Sequence, residues 1–212
     1  GNEQREQFDS SGSIIVKKLV DAIKAVDISR PVTTALTETF AEKNFISQAN
    51  ALDVLGFNYK LYDYEALPKR FPGQKFIATE TASALETRGV YQFLSDSIRI
   101  WPPDYKAQDT FAHGNKDFTC AAYDNTHAYW GATHEKSWLA IKRNPHMAGL
   151  FVWSGFDYLG EPLPYPKFPS RSSYYGIVDL AGFPKDVYYM YQSEWSDKPV
   201  LHVFPHWNWN EG

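Results

Sequence analysis

Apolar residues recur along the chain at two different spacings, and their alternation predicts the order of its elements. Over residues 11–27 they lie at helical spacing behind a Ser/Gly start, which predicts an amphipathic helix that ends at Arg30-Pro31. Residues 38–48 predict a helical or irregular return. Three short apolar runs predict buried strands over residues 32–36, 54–59 and 75–79.

The second half of the chain is less periodic. We expect a helix around residues 90–98, followed by a segment from Trp101 to Trp130 that is rich in Pro, Asp, Asn, Tyr and His. A long irregular segment inside a compact domain is often a functional loop. The remaining predicted elements are a helix over residues 135–143, a strand over 147–153, a loop over 154–184 and a helix over 185–195.

Four strands with helical returns between most of them predict an α/β fold with a parallel sheet, because parallel neighbours need crossover connections. Polar groups or aromatic rings lie at the ends of the strands: Asn58 and Tyr59 close the second, Glu80 comes at the end of the third and Trp153 closes the fourth. This arrangement is typical of a (β/α)8 TIM barrel, whose site lies at the carboxyl ends of its strands. Four strands make half of such a barrel.

Composition describes a folded domain that is not expected to bind nucleic acid. The chain has 212 residues, of which 43% are hydrophobic, and its net charge is −4 without a basic stripe. No apolar run reaches the about 18 residues that a membrane helix needs. Aromatic residues make up 17%, which suits stacking on sugars and equally suits an aromatic core.

Cysteine and histidine add little chemistry. The single Cys120 excludes an internal disulfide and is expected to be inert. The six histidines lack a short ligand spacing such as His-x-x-x-His, so the sequence does not predict a zinc site.

Two glutamates stand out, since a pair of carboxyl groups can carry out glycoside chemistry. Glu3 follows Gly1-Asn2 at the start of the chain, with no predicted element before it, and Glu80 ends the third strand. We therefore expect a chain cut from a longer protein just upstream of a catalytic residue.

Six motifs in order resemble the β-galactosidases of glycoside hydrolase family 2. They are GNE at residues 1–3, IATETAS at 77–83, FVWSGFDYLGEP at 151–162, SRSSYYGI at 170–177, AGFPKD at 181–186 and PHWNW at 205–209. The resemblance implies that residues 1–198 are the C-terminal half of the catalytic barrel, from the end of strand 4 through strand 8. Residues 199–212 would then be an extended exit segment toward a further domain of the same longer chain.

The resemblance also implies roles for the site residues. Glu3 would be the acid/base and Glu80 the nucleophile of a retaining exo-acting enzyme that releases terminal β-galactose. Asn2 would bind the 2-hydroxyl of the sugar. Tyr59 would donate its hydroxyl to the nucleophile, Asn58 would shape the same floor of the site, and Trp153 would form a hydrophobic wall. Asp157 and Glu161 either hold their loop or touch sugar hydroxyls.

The alternatives stay open at this point. A related β-glucuronidase or β-mannosidase would share the motifs, although glucuronidases of the family carry an Asn-x-Lys where this chain has Ser173-Tyr174-Tyr175. A non-catalytic carbohydrate-binding fragment is the third reading, and we expect the isolated 212 residues to be inactive.

No cofactor is certain. Magnesium remains open, since its ligands in some family members would lie upstream of Glu3. The resemblance favours a periplasmic or secreted bacterial protein, but it does not determine the compartment.

Overall fold

The computed structural model describes residues 3–92, 96–102, 118–163, 165 and 172–206. Within these ranges the α-helices are α1 (Ser11–Lys24), α2 (Phe45–Gln48), α3 (Leu67–Arg70), α4 (His134–Lys142) and α5 (Asp186–Trp195). The strands are β1 (Ala35–Leu36), β2 (Leu55–Asn58), β3 (Phe76–Ala82), β4 (Arg99–Ile100), β5 (Thr126–His127) and β6 (Met147–Trp153). Short 3-10 helices span Arg5–Phe8, Ala41–Lys43 and Tyr64–Ala66.

Four strands form one sheet in the order β1-β2-β3-β6. β1 pairs with β2 in parallel, and β2 pairs with β3 in parallel. The predicted α/β architecture with a parallel sheet is therefore confirmed.

The chain divides into two compact units. The first comprises Gly1–Thr81 and Lys136–Val152, and the second comprises Ala82–Glu135 and Trp153–Gly212. In the first unit, Val16 and Val20 of α1 pack in one apolar cluster with Phe57 and Phe76 of the sheet. The faces of β2 and β3 that carry Phe57 and Phe76 therefore point into the apolar core.

The second unit has its own smaller core. Its buried members are Leu85, Cys120, Leu163, Tyr165 and Tyr175. Burial raises the pKa of the Cys120 thiol to about 12, so the thiol stays protonated and packs as an apolar side chain.

Two sequence predictions about elements are wrong, beyond the shorter extents of α1, which ends at Lys24, and of β1, which covers only Ala35–Leu36. No helix forms around residues 90–98 in the described part of that range, where 93–95 lie outside the description. Instead Arg99 and Ile100 form β4, which pairs in parallel with Thr126 and His127 of β5. This pairing is a contact distant in sequence, and apolar spacing within one segment carries no information about it.

The second correction concerns the third strand, which continues to Ala82 instead of ending at residue 79. Glu80 is therefore a residue within the strand. The predictions for the helices over residues 135–143 and 185–195 and for the strand over 147–153 are confirmed to within one residue at each end. No helix among the described residues combines the length and the apolar character needed to cross a lipid bilayer.

Candidate active site

A bulge in β3 sets the direction of Glu80. Phe57 lies opposite Ala78, but the next residue, Asn58, lies opposite Glu80, so Thr79 is an extra residue in β3. Regular alternation would put Glu80 on the same face as Phe76 and Ala78, which are buried in the apolar core. The extra residue places the Glu80 side chain on the same face of the sheet as Ile77, which is the face opposite to the apolar core.

Side chains of β2 and β3 hold this bulge. The Thr79 hydroxyl donates a hydrogen bond of 2.7 Å to Asn58 Oδ1. The backbone amide of Tyr59 donates to the Glu80 carbonyl at 3.0 Å. The structure thus brings Asn58, Tyr59 and Glu80 together at the carboxyl ends of adjacent parallel strands, which the sequence only predicted.

Two of the predicted site residues have strained backbones. Tyr59, directly after β2, has φ 53°, and Glu3 has φ 47°. A non-glycine residue in this left-handed region costs about 1–3 kcal/mol, and such residues cluster at functional sites. Hydrophobic patterns do not reveal this feature.

Gln7 fixes the segment that carries Glu3. Its side chain is fully buried, and its Oε1 accepts the backbone amides of Thr37 and Glu38 at 2.9 and 2.8 Å. Its Nε2 donates to the Thr37 hydroxyl at 2.9 Å. Thr37 directly follows β1, so the segment is attached at the same edge of the parallel sheet as Asn58 and Glu80. Glu3 lies four residues before this attachment and is exposed.

The remaining predicted site residues lie elsewhere. Asn2 falls outside the described residues. Trp153 ends β6 and belongs to the second unit. Its indole Nε1 donates to the Tyr158 hydroxyl at 3.0 Å, and that hydroxyl donates to Glu161 Oε2 at 2.8 Å. This chain of hydrogen bonds orients the indole ring, and it gives Glu161 a part in holding the loop.

Asp157 also holds its loop. Its Oδ1 accepts the Gly176 amide at 2.8 Å and the Lys185 ammonium at 2.8 Å. The side chains of Lys185 and Asp157 are only 1% and 6% exposed. Burial raises the pKa of Asp157 even though the ammonium of Lys185 favours its ionised form. Sequence reasoning missed Lys185, although it stands in one of the six motifs.

No model of a protein family matches the chain. The β-galactosidase BoGH2A of Bacteroides ovatus is 50% identical over 208 residues, which are 98% of this chain and 24% of that protein. A protein of Formosa agariphila that is named as a candidate beta-glucuronidase is 33% identical over 150 residues, 62% of this chain and 14% of that protein.

A solved structure of a β-glycosidase from Bacteroides vulgatus is similar with a TM-score of 0.69 and 31% identity, over 92% of this chain and 25% of that chain. The fold and the comparisons thus relate this chain to glycoside hydrolases. Within them, the resemblance to the family 2 β-galactosidases that the six motifs indicated is confirmed over nearly the whole chain. The chain spans about a quarter of the length of these two Bacteroides relatives.

Proposed function

We propose that the protein carrying this chain is a retaining exo-glycosidase that releases terminal β-galactose, with Glu80 as nucleophile and Glu3 as acid/base. The observation that carries the proposal is the bulge of β3, which turns the Glu80 carboxylate away from the apolar core, beside Asn58 and Tyr59. The identity of 50% to a β-galactosidase supports the choice of sugar.

The proposed barrel explains how residues 77 positions apart would act on one bond. In a (β/α)8 barrel the carboxyl ends of all strands converge on one face. β1, β2, β3 and β6 would be strands 5 to 8, and Glu3 would follow strand 4. The Gln7 attachment supports this, because it ties the Glu3 segment to the carboxyl end of β1.

The reaction proceeds by double displacement. A retaining mechanism needs its two carboxyl groups about 5–5.5 Å apart. Glu80 attacks the anomeric carbon while Glu3 gives its proton to the leaving oxygen, and a galactosyl ester forms on Glu80. Glu3 then takes a proton from water, which attacks the ester and releases galactose.

Other residues would bind the sugar. Asn2 would hydrogen-bond the 2-hydroxyl, and Tyr59 would donate to the nucleophile. Asn58 would shape the floor from its buried position, and Trp153 would offer its indole as a wall.

The decisive experiment compares variants of the longer parent protein on nitrophenyl β-galactoside. Glu80→Gln should lower kcat by a factor on the order of 10⁴ or more, as loss of a nucleophile does. The control is Glu65→Gln, the same substitution at an exposed glutamate of the first unit, which should leave kcat unchanged. A slow fluorinated galactoside should also leave a sugar adduct on the peptide that contains Glu80; an adduct on any other peptide overturns the assignment.

Glu3 is tested by varying the leaving group. Nitrophenolate leaves without a proton, whereas the glucose of lactose needs one. Glu3→Gln should therefore slow bond cleavage of lactose by about 10²–10⁴ and that of the nitrophenyl substrate much less. Equal losses on both substrates would contradict the acid role.

The second candidate sugar is a β-glucuronide, because the Formosa agariphila relative is named as a candidate beta-glucuronidase. A panel of nitrophenyl β-galactoside, β-glucuronide and β-mannoside decides between the sugars by kcat/KM. Preference for the glucuronide would overturn the galactoside while leaving the roles of Glu3 and Glu80 standing. No turnover of any glycoside by the parent would favour a binding role.

A further inference from the structure

Three potential metal ligands converge inside the second unit. Glu86, Asp124 and His134 each offer one ligand atom, and these atoms lie within 4.8 Å of one another. They come from three separate stretches of chain, and His134 is the first residue of α4. Among the residues that the structure describes, no other group of this kind is found.

Glu86 is the feature that ordinary packing does not explain. The residue is 2% exposed, and neither oxygen of its carboxylate has a hydrogen-bond partner. A buried carboxylate without a partner is costly unless it gains a proton or a cation. Burial, followed by the charge of Asp124, raises the pKa of Glu86 well above its usual value.

The nearest buried cation does not satisfy this carboxylate. Lys185 Nζ donates to Asp157 Oδ1 at 2.8 Å and to the backbone carbonyls of Glu86 and Tyr174 at 2.7 and 3.1 Å. An ammonium has three donors, so all of them are used. The other charges around Glu86 are the carboxylates of Asp124, Asp157 and Asp186, which repel it.

The two other ligands are already held in place. Asp124 accepts the backbone amides of His134 and Glu135 at 2.9 Å each, which fixes its carboxylate at the start of α4. His134 Nδ1 lies 3.1 Å from the Tyr191 hydroxyl. When Nδ1 donates to that oxygen, the lone pair of Nε2 is free for a metal, as in the outer shells of metal-bound histidines. A histidine binds a metal in its neutral form.

We propose that Glu86, Asp124 and His134 bind a divalent transition-metal ion of the zinc or manganese class. Two carboxylate oxygens and one imidazole nitrogen suit these ions, whereas calcium and magnesium prefer oxygen alone. Zinc ligands lie at about 2.0–2.2 Å, so two ligand atoms on one ion are up to about 4.4 Å apart, and small side-chain rotations would close the shell.

The site is structural. All three ligands are at least partly buried, and they join the segments around residues 86 and 124 to the start of α4. The ion would supply the charge that Glu86 lacks. The spacing of histidines along the chain could not indicate this site, since only one ligand is a histidine.

The test measures metal content and stability of the parent protein. After purification without chelators, elemental analysis should find at least one equivalent of zinc or manganese per chain. Adding Zn²⁺ or Mn²⁺ to the chelator-treated protein should raise its unfolding temperature as the ion concentration rises, because an ion that binds only the folded state stabilises it. Ca²⁺ at the same concentration should raise it less.

Variants locate the ion. Glu86→Gln keeps the shape of the side chain and removes its charge, so it should lower the bound metal by one equivalent and abolish the stabilisation by Zn²⁺. Glu135→Gln removes a charge from the neighbouring exposed position on α4 and should change neither. If Glu86→Gln does not fold, His134→Gln serves in its place.

Less than one equivalent in the wild-type protein, or unchanged metal content in the Glu86 and His134 variants, overturns the site and leaves Glu86 as a protonated carboxyl group. These ligands are not the residues proposed for catalysis. Glycoside turnover therefore tests the proposed function separately from the metal.

Discussion

A single extra residue, Thr79, decides which face of the sheet receives the Glu80 carboxylate. Its hydroxyl also donates to Asn58 at 2.7 Å, so the same residue makes the bulge and fastens it to the next strand. The direction of a proposed catalytic side chain can thus depend on a neighbour that has no proposed contact with the substrate. Thr79 is a positioning residue in this sense.

Thr79→Val keeps the size of the side chain and removes the donor. We expect a loss of about 0.5–1.5 kcal/mol in the free energy of unfolding, measured with urea. In the parent protein the rate at which a fluorinated galactoside labels Glu80 should fall as well. Thr79→Ser retains the hydroxyl and should restore the labelling rate; a valine variant that labels as fast as wild type would show that the bulge needs no such bond.

The buried pair of Lys185 and Asp157 gives a second prediction for single residues. Lys185→Met leaves a buried carboxylate without its cation, which typically costs about 3–5 kcal/mol in the free energy of unfolding. The matched control is Lys24→Met, since Lys24 pairs with Asp53 at the surface and should contribute little. Urea unfolding of both variants measures the difference, and equal losses would mean that burial of the Lys185 pair is immaterial.

At the scale of elements, the Glu3 segment is held by one side chain. Gln7→Leu would leave the amides of Thr37 and Glu38 without their acceptor, at a cost of about 1–3 kcal/mol for each amide that stays buried. Gln7→Glu keeps the acceptor and should be milder. In the parent protein, the leucine variant should lose kcat on lactose, where Glu3 must give a proton, more than on a nitrophenyl galactoside; equal losses would indicate damage to the fold alone.

The start of α1 packs against the same segment. A Cβ at Gly12 would lie 2.1 Å from the carbonyl oxygen of Glu6, which is backbone and cannot rotate away. Gly12→Ala should therefore destabilise the protein although alanine favours helices by about 1 kcal/mol. Gly155→Ala is the control, because a Cβ there meets open space. Thermal unfolding of the two variants checks the prediction, and a stabilised Gly12→Ala protein would contradict the close contact.

At the scale of the whole molecule, the sheet of the described residues is open, with β1 and β6 as its end strands. Exposed strand edges offer unpaired backbone groups to other chains. We expect the isolated 212 residues to be inactive and to associate as concentration rises, measured by analytical ultracentrifugation, while the longer parent stays monodisperse. A soluble monomer with one cooperative unfolding transition would refute this expectation about association.

The sequence by itself determined the elements whose signal is local. The amphipathic spacing of α1, the apolar run of β6 and the four strands of the parallel sheet could be predicted because each pattern lies within one segment. The six motifs likewise indicated the glycoside hydrolase relatives from residues alone.

The tertiary structure decided what depends on contacts between distant residues. The pairing of β4 with β5, the register that makes Thr79 a bulge, the attachment of Gln7 after β1 and the convergence of Glu86 with His134 all join segments that lie far apart in the chain. Hydrophobic periodicity reports which face of one element is buried. It does not show which neighbour that element contacts. It also does not show where a side chain points after a bulge has shifted the register of a strand. The chemistry of the site depends on both of these features.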